Sequence, residues 1–319
     1  MENVRIDTLP DDLFLVSYPK SGNTWLRYLF GHYLSGEETP NISEIIPDIY
    51  KNPAELAALK APRYIKSHEP YRPEYPRVIY IVRDGRDVAV SYYFHMQSRK
   101  RIPDGMSFRD YVKAFNADQL DPFSTWSDHV HSWLDNAPEK FLLLRYEDMK
   151  ADTQTQFLRC LEFAGLPIDM ERVNFTIEAC DFQNLKKREE AWYKQQGKTP
   201  LHPFFRKGTS GQWQDRFTDE MLETFLARHG SALERMGYIE AAPALEKTYE
   251  PMRRNLEKAI GQQDGKYLAL KQELAQELAQ VRQQLDQAHK TIAEMEASKF
   301  WSMRQAWVQL KHRLSSTAE

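Results

Sequence analysis

The sequence predicts an α/β domain on a central parallel sheet, followed by a long C-terminal helix, and three observations carry that reading. Short apolar runs recur at 13–17, 77–82 and 140–146. Each ends in polar residues and gives way to apolar residues at helical spacing, the pattern of buried parallel strands joined by crossover helices. After Tyr238 the pattern changes to a heptad repeat.

Taken in order, Leu13-Phe14-Leu15-Val16-Ser17 reads as the first strand, with a helix beginning near Thr24. Arg77-Val78-Ile79-Tyr80-Ile81-Val82 repeats the theme and leads through Arg-Asp-Gly to a helix from Asp87. Lys140 to Tyr146 is the third run, and apolar spacing makes 153–165 helical. Ligands of such sheets sit beyond the carboxyl ends of the strands, so the loops there should converge. Residues 1–240 are expected to form one domain and 241–255, with two prolines and no period, a linker. Within 256–298, Leu278, Leu285 and Ile292 share one core position with Lys271, and Tyr267, Leu274, Val281, Ala288 and Met295 share the other. Four such heptads predict a coiled coil of about 43 Å, or a single long helix packed back on the domain. In 299–319, Phe300, Met303, Trp307, Leu310 and Leu314 recur at helical spacing among basic residues. That amphipathic tail suits an anionic membrane surface, a partner, or the protein itself, and the sequence leaves the three open.

Composition excludes several classes. The 319 residues carry a net charge of −3, so any anion site must be local and nucleic acid is not an expected partner. Cys160 and Cys180 are too few for a disulfide framework and lack metal spacing. No segment reads as a signal peptide or spanning helix. The expectation is a soluble, cytoplasmic protein, peripheral at the membrane if the tail lies on it.

Three basic segments carry the chemistry. Tyr18-Pro19-Lys20-Ser21-Gly22-Asn23-Thr24-Trp25 joins a strand to a helix. Backbone N–H groups and the helix dipole converge on an anion at such a junction. Gly22 allows close approach, Lys20 supplies full charge, and Ser21, Asn23 and Thr24 supply short donors. The loop is similar to a Walker A loop without its G-x-x-x-x-G-K-[ST] spacing, which speaks against a Mg²⁺-dependent nucleotide kinase. Arg83 ends the second strand, and Ser91 follows about two helical turns later, suited to a second phosphate. Arg206-Lys207-Gly208-Thr209-Ser210-Gly211-Gln212-Trp213 is the third. Three segments of one chemistry suggest a ligand with more than one phosphate. The fold expected is thus a P-loop-like three-layer α/β fold.

YPKSGNTW, RDGRDVAVSYY and RKGTSGQW together resemble, in order, the nucleotide-binding motifs of the cytosolic-type sulfotransferases that use 3′-phosphoadenosine 5′-phosphosulfate (PAPS). KSHEP resembles the family's Lys-x-His segment, and Tyr146-Glu147-Asp148-Met149 its YEDM element. The likeness spans Leu13 to Thr218. It implies sulfuryl transfer from PAPS to an acceptor hydroxyl by in-line displacement, with no metal required. It further implies that Lys20 to Trp25 bind the 5′-phosphosulfate, with Trp25 near the adenine. Arg83 and Ser91, with Arg206, Lys207 and Gly208, would hold the 3′-phosphate, and Tyr146 and Phe182 would contact the adenine. His68 would be the general base, and Lys66 and Lys20 would stabilise charge on the sulfuryl group and the leaving oxygen.

Some residues depart from the family. Asn23 stands where many relatives have Thr. Cys180-Asp181 replaces a hydroxyl pair, and 214–219 lack the Lys and Val of the animal dimer motif, which leaves the coiled coil as a route to a homo-oligomer. Segments 42–62 and 96–121 are expected to wall the acceptor, whose identity the sequence leaves open. Tyr50, Phe108, Tyr111, Phe115 and Phe123 would line the pocket or fill the core. His95, His129, His131 and His202 receive no role. The rival functions are a P-loop kinase and a coiled-coil adaptor with an inactive nucleotide-binding domain.

Overall fold

The computed structural model describes residues 7–50, 56–120 and 122–240, with scattered positions between 276 and 307. The chain divides into two compact units, Met1–Glu240 and Ala241–Glu319. In the first, four parallel strands run in the order β2-β1-β3-β4: β1 Leu13–Ser17, β2 Tyr64–Ser67, β3 Val78–Val82 and β4 Phe141–Arg145. Every residue of β1 and β3 is buried, as central strands covered on both faces must be. Successive side chains point to opposite faces. Phe14 and Val16 join one core with Tyr80, Trp126 and Trp133; Leu13 and Leu15 join the other with Leu26, Phe30 and Phe157. That makes three layers, helix over sheet over helix.

The strand missing from the sequence reading is β2, part of which was expected only as an extended segment. It has four residues, one of them a lysine, and pairs with β1 on one side, with only a single bridge to Asp48 on the other. So short and polar an edge strand leaves no apolar run to read.

The chain enters the sheet at β1 and places β2 on one side and β3 on the other. The crevice at the carboxyl end of β1 is therefore the switch point where such sheets bind ligands. Helix α1, Asn23–Ser35, opens there. Most other helices start under a side-chain cap: Asp84 caps α3 (Gly85–Ser98), Ser107 caps α4 (Phe108–Asn116), and Thr125 caps α5 (Trp126–Asp135). The short helix α2, Ile42–Ile45, follows α1. Helix α1 begins at Gly22 with no side-chain cap and no acid in its first turn. Its first N–H groups are left for a ligand.

The rest of the first unit is helical: α6 Tyr146–Ala151, α7 Thr153–Ala164, α8 Met170–Ala179, α9 Phe182–Gln195 and α10 Asp219–Arg235. The expected linker 241–255 and most of the heptad segment and tail lie outside the described residues. The positions described between 276 and 307 are helical, and Val281, Leu285, Met303 and Trp307 among them are exposed. Among the described residues no helix is long and apolar enough to cross a membrane.

Candidate active site

At the end of β1 two residues take left-handed backbone conformations, Lys20 at φ 69° and Gly22 at φ 110°. Such turns aim successive N–H groups at one point. Gly22 is also needed for space, since a Cβ there would stand 2.8 Å from Cδ2 of Tyr146. The Lys20 ammonium is enclosed, 3.5 Å from the centroid of the Phe204 ring. Burial, and then the charge of Arg83, lower its pKa to about 7.

Arg83 follows β3 and ties three segments together. Its guanidinium donates to the carbonyl oxygens of Lys20 (3.4 Å) and Thr209 (3.0 Å) and lies 4.4 Å from the Tyr146 ring centroid. Its Nε is buried without a partner. Asp87, in the first turn of α3, is 3.8 Å from Arg83 and accepts the N–H groups of Gly211 (2.7 Å) and Trp213 (3.1 Å). The Arg86 guanidinium stands 4.0 Å from the Trp213 ring centroid. These contacts fold the third basic segment onto the other two. Gly208 packs so closely on Phe182 that a Cβ would come within 2.4 Å of the ring.

From the end of β2, Lys66 and His68 face the same space. Lys66 is ion-paired with Asp48. The Asp48 charge also favours the charged form of Arg27, and the charges of Lys66 and Arg27 both disfavour protonation of His68. Burial acts first on His68 and carries its pKa well below 6.5. His68 Nδ1 is 2.6 Å from the carbonyl oxygen of Ser17. A carbonyl oxygen only accepts, so Nδ1 carries the hydrogen and Nε2 the free lone pair. By the same reasoning His129 donates from Nε2 to the carbonyl oxygen of His68 (3.1 Å) and accepts the Tyr80 hydroxyl at Nδ1 (2.9 Å). Trp133 Nε1 donates to the next carbonyl, that of Glu69, at 3.0 Å. The buried histidine given no role in the sequence reading thus braces the backbone of His68.

Lys20, Lys66, His68, Arg83, Tyr146 and Gly208 line one cavity of about 590 Å³, with Asp87, Trp213, His129 and Trp133 behind its wall. Of the residues expected there, Lys20, Gly22, Asn23, Thr24 and Trp25 lie on its wall, as do Lys66, His68, Arg83, Ser91 and Tyr146. Phe182, Arg206, Lys207 and Gly208 complete that set. Ser21 does not line it: its side chain is buried, and Oγ has no partner. Asn23 is on the wall, but its Nδ2 donates to the carbonyl oxygen of Leu15 at 2.8 Å, bracing the strand end. Trp25 Nε1 donates to the carbonyl oxygen of Cys180 at 3.1 Å, and its ring meets Tyr146 edge-on at 5.9 Å.

The sequence reading missed Arg27, Asp48, His95 and Arg101, which also face the cavity. Arg27 lies two residues beyond Trp25, a weak signal; Asp48 and Arg101 fall within the segments 42–62 and 96–121 expected to wall the acceptor but were not singled out there, and His95 carries no signal. Of the five aromatic candidates, Tyr50 and Phe123 line the cavity, with ring centroids 5.9 Å apart and Phe123 5.8 Å from His68. Tyr111 and Phe115 are core residues, with Phe108 packed against them. Among the described residues no group of three or more His, Cys, Asp or Glu could hold a metal ion.

A family model described as Sulfotransferase domain matches residues 10–237. Bovine "Sulfotransferase 1E1" is 31% identical, over 69% of this chain and 83% of its own length. Rat "Sulfotransferase 1 family member D1" is 32% identical, over 68% and 81%. Among solved structures, retinol dehydratase in complex with androsterone and the inactive cofactor PAP (3′-phosphoadenosine 5′-phosphate) superposes with a TM-score of 0.62. It is 23% identical and covers 72% of this chain and 82% of that one. A mouse sulfotransferase complexed with PAP gives a TM-score of 0.57 at 24% identity, covering 73% and 90%. These two likenesses are of fold.

Proposed function

Because this chain belongs to the sulfotransferase domain family, we propose that its cavity takes PAPS and that the enzyme passes the sulfuryl group to an acceptor hydroxyl. The observation that carries the reading is the uncapped start of α1, with Lys20 beside it, sharing one cavity with Lys66 and a neutral His68. The residues suit a 3′-phosphorylated nucleotide. Lys20 is destabilised by Arg83, Arg99 and Arg206, a cluster that an anion would relieve. Arg83 Nε is buried and unpartnered. The rings of Trp25, Tyr146 and Phe182 lie on the same cavity wall and offer apolar surface to a base.

When bound, the donor supplies an electrophilic sulfur and a phosphate leaving group. His68 Nε2 takes the proton of the acceptor hydroxyl as its oxygen bonds to sulfur and the sulfur–oxygen bond to phosphate breaks. The Ser17 carbonyl keeps the imidazole in the tautomer this needs. Lys66 stands where charge grows on the sulfuryl oxygens, and Lys20 where it grows on the leaving oxygen. Arg83, Ser91, Arg206, Lys207 and the open backbone at Gly208 hold the 3′-phosphate, and the loop 20–25 holds the 5′ end. Catalysis is then positioning and charge stabilisation by basic side chains, with no metal required. The decisive measurement is thermal stabilisation by PAP against ATP·Mg²⁺. A larger shift with PAP is expected, and preference for ATP·Mg²⁺ would sink the reading.

For the second unit we propose a linker over 241–255, a heptad helix over 256–298 that pairs with a second copy, and a basic tail over 299–319 that lies on anionic lipid. The heptad pattern and the helical, exposed described positions support this. The enzyme is placed in the cytoplasm, in keeping with two free, buried cysteines. Truncation near residue 250 should lower the mass in solution and the pelleting with anionic vesicles; no change in either refutes the assignment.

A further inference from the structure

The charges on the cavity wall exceed what the donor can neutralise. Four cations, Lys20, Arg83, Arg206 and Lys207, belong to the donor half. Four more line the wall, Arg27, Lys66, Arg101 and Lys150, against two carboxylates, Asp48 and Asp181. The formal surplus is six positive charges. Charges just behind the wall change this little. Arg99 and Glu189 act on Lys20 in opposite senses, Asp87 acts on Arg83 and Arg206, and Glu69, which accepts the Tyr50 hydroxyl, is ion-paired with Arg72. The 3′-phosphate of the donor carries about −1.5 to −2, and its phosphosulfate brings the total to about −4. A positive balance is left over in a chain that is acidic as a whole.

That balance falls on the acceptor side. Asp48 is the only carboxylate there among the described residues, and it is already ion-paired with Lys66, with Arg27 close enough to feel its charge. Arg101 lies in the loop after α3, exposed and on the cavity wall. Among the described residues it has no ion-pair partner and no ring beneath it. Its neighbours Arg99 and Lys100 are equally unpaired. Tyr50 and Phe123 supply an apolar wall beside His68. A cavity with unneutralised charge raises the local concentration and on-rate of the opposite sign.

We propose that the acceptor is an anion: a hydroxyl compound bearing a carboxylate, sulfate or phosphate, whose charge Arg101 receives at the cavity rim while its ring lies against Tyr50 and Phe123. This rests on the PAPS-dependent reading. It divides the cavity into two anion subsites, one for the nucleotide and one for the acceptor.

The test uses the full chain with PAPS and two matched pairs: 4-hydroxyphenylacetate against 4-methylphenol, and methyl glucuronide against methyl glucoside. In whichever ring class turns over, the charged member should have a kcat/KM at least tenfold higher at low salt. That ratio should fall toward one in Arg101→Gln and as salt screens the charge. A wild-type ratio at or below one, or a ratio untouched by Arg101→Gln, overturns the proposal. If no acceptor turns over, calorimetric titration of each pair onto the PAP-loaded enzyme reads the same preference, and equal or absent binding overturns it. Absence of PAP binding itself overturns the donor reading, and this proposal with it.

Discussion

His68 donates its Nδ1–H to the carbonyl oxygen of Ser17 across 2.6 Å, which ties the proposed base to the last residue of β1. The hydrogen bond leaves Nε2 as the basic nitrogen. The same strand continues into Lys20, so donor loop and base hang from one rigid element. Removing the imidazole as His68→Ala should lower turnover about 10²–10⁴-fold, the range of general-base catalysis. PAP binding, followed by thermal shift, should persist. A variant that keeps wild-type transfer would remove His68 from the role.

The pH profile should have two separate origins. His68 works in its neutral form, and burial with the nearby Lys66 charge holds its pKa well below 6.5. The acid limb of kcat/KM should therefore lie below pH 6.5, with activity lost only as pH falls through that lowered value. A limb centred at or above 6.5 contradicts the assignment.

Lys20 sets the other limb. Its pKa in the free enzyme is about 7, and a bound anion favours its charged form. Nucleotide binding above pH 7 must then take up a proton. PAP affinity should weaken as pH rises from about 7, by at most about tenfold per unit. Calorimetry in two buffers of different ionisation enthalpy measures the uptake directly. Lys20→Arg, charged throughout, should flatten the dependence; a wild-type affinity that is level from pH 7 to 9 argues against it.

Gly208 has φ 62°, and a side chain there would strike the Phe182 ring at 2.4 Å. Gly208→Ala should displace Phe182 or the loop and weaken PAP binding severalfold, with less effect on global stability because the site lies on a surface loop. Equal PAP affinity in the two proteins would mean that this contact does not shape the nucleotide site.

Asp87 holds the third basic segment by accepting from Gly211 and Trp213 and facing Arg83. Asp87→Ala strands two N–H groups, at a cost of about 1–3 kcal/mol per group left unsatisfied, and removes the carboxylate ion-paired with the buried Arg83. Both denaturant stability and PAP affinity should fall. Loss of stability alone, with PAP affinity intact, would show that the loop is placed by other contacts.

The donor half was legible because its groups are contiguous. In the stretch from Lys20 to Trp25, strand, turn glycine and helix start follow one another, so local backbone geometry builds the anion site. Arg83 and Ser91 are tied in the same way by β3 and α3, and Gly208 by its own turn. Ser21 shows the limit of this reasoning, since a residue inside the motif turned away from the cavity. Asn23 shows it again, its side-chain amide N–H being taken up by Leu15.

For the proposed acceptor half, the sequence named the segments and left Tyr50 and Phe123 between pocket and core; tertiary structure decided which side chains face the cavity. Asp48, Tyr50, Arg101 and Phe123 come from loops with no shared motif, and they meet only because β2 pairs with β1 at the sheet edge and the helices close over it. The states of the working groups were also out of reach of the sequence. The neutral His68, its tautomer and the lowered pKa of Lys20 depend on burial and on charges that are near in space and far in sequence. Which residues line the donor end of the cavity followed from local order along the chain; what proton state they hold, and which side chains stand opposite them, followed from how the sheet brings its loops together.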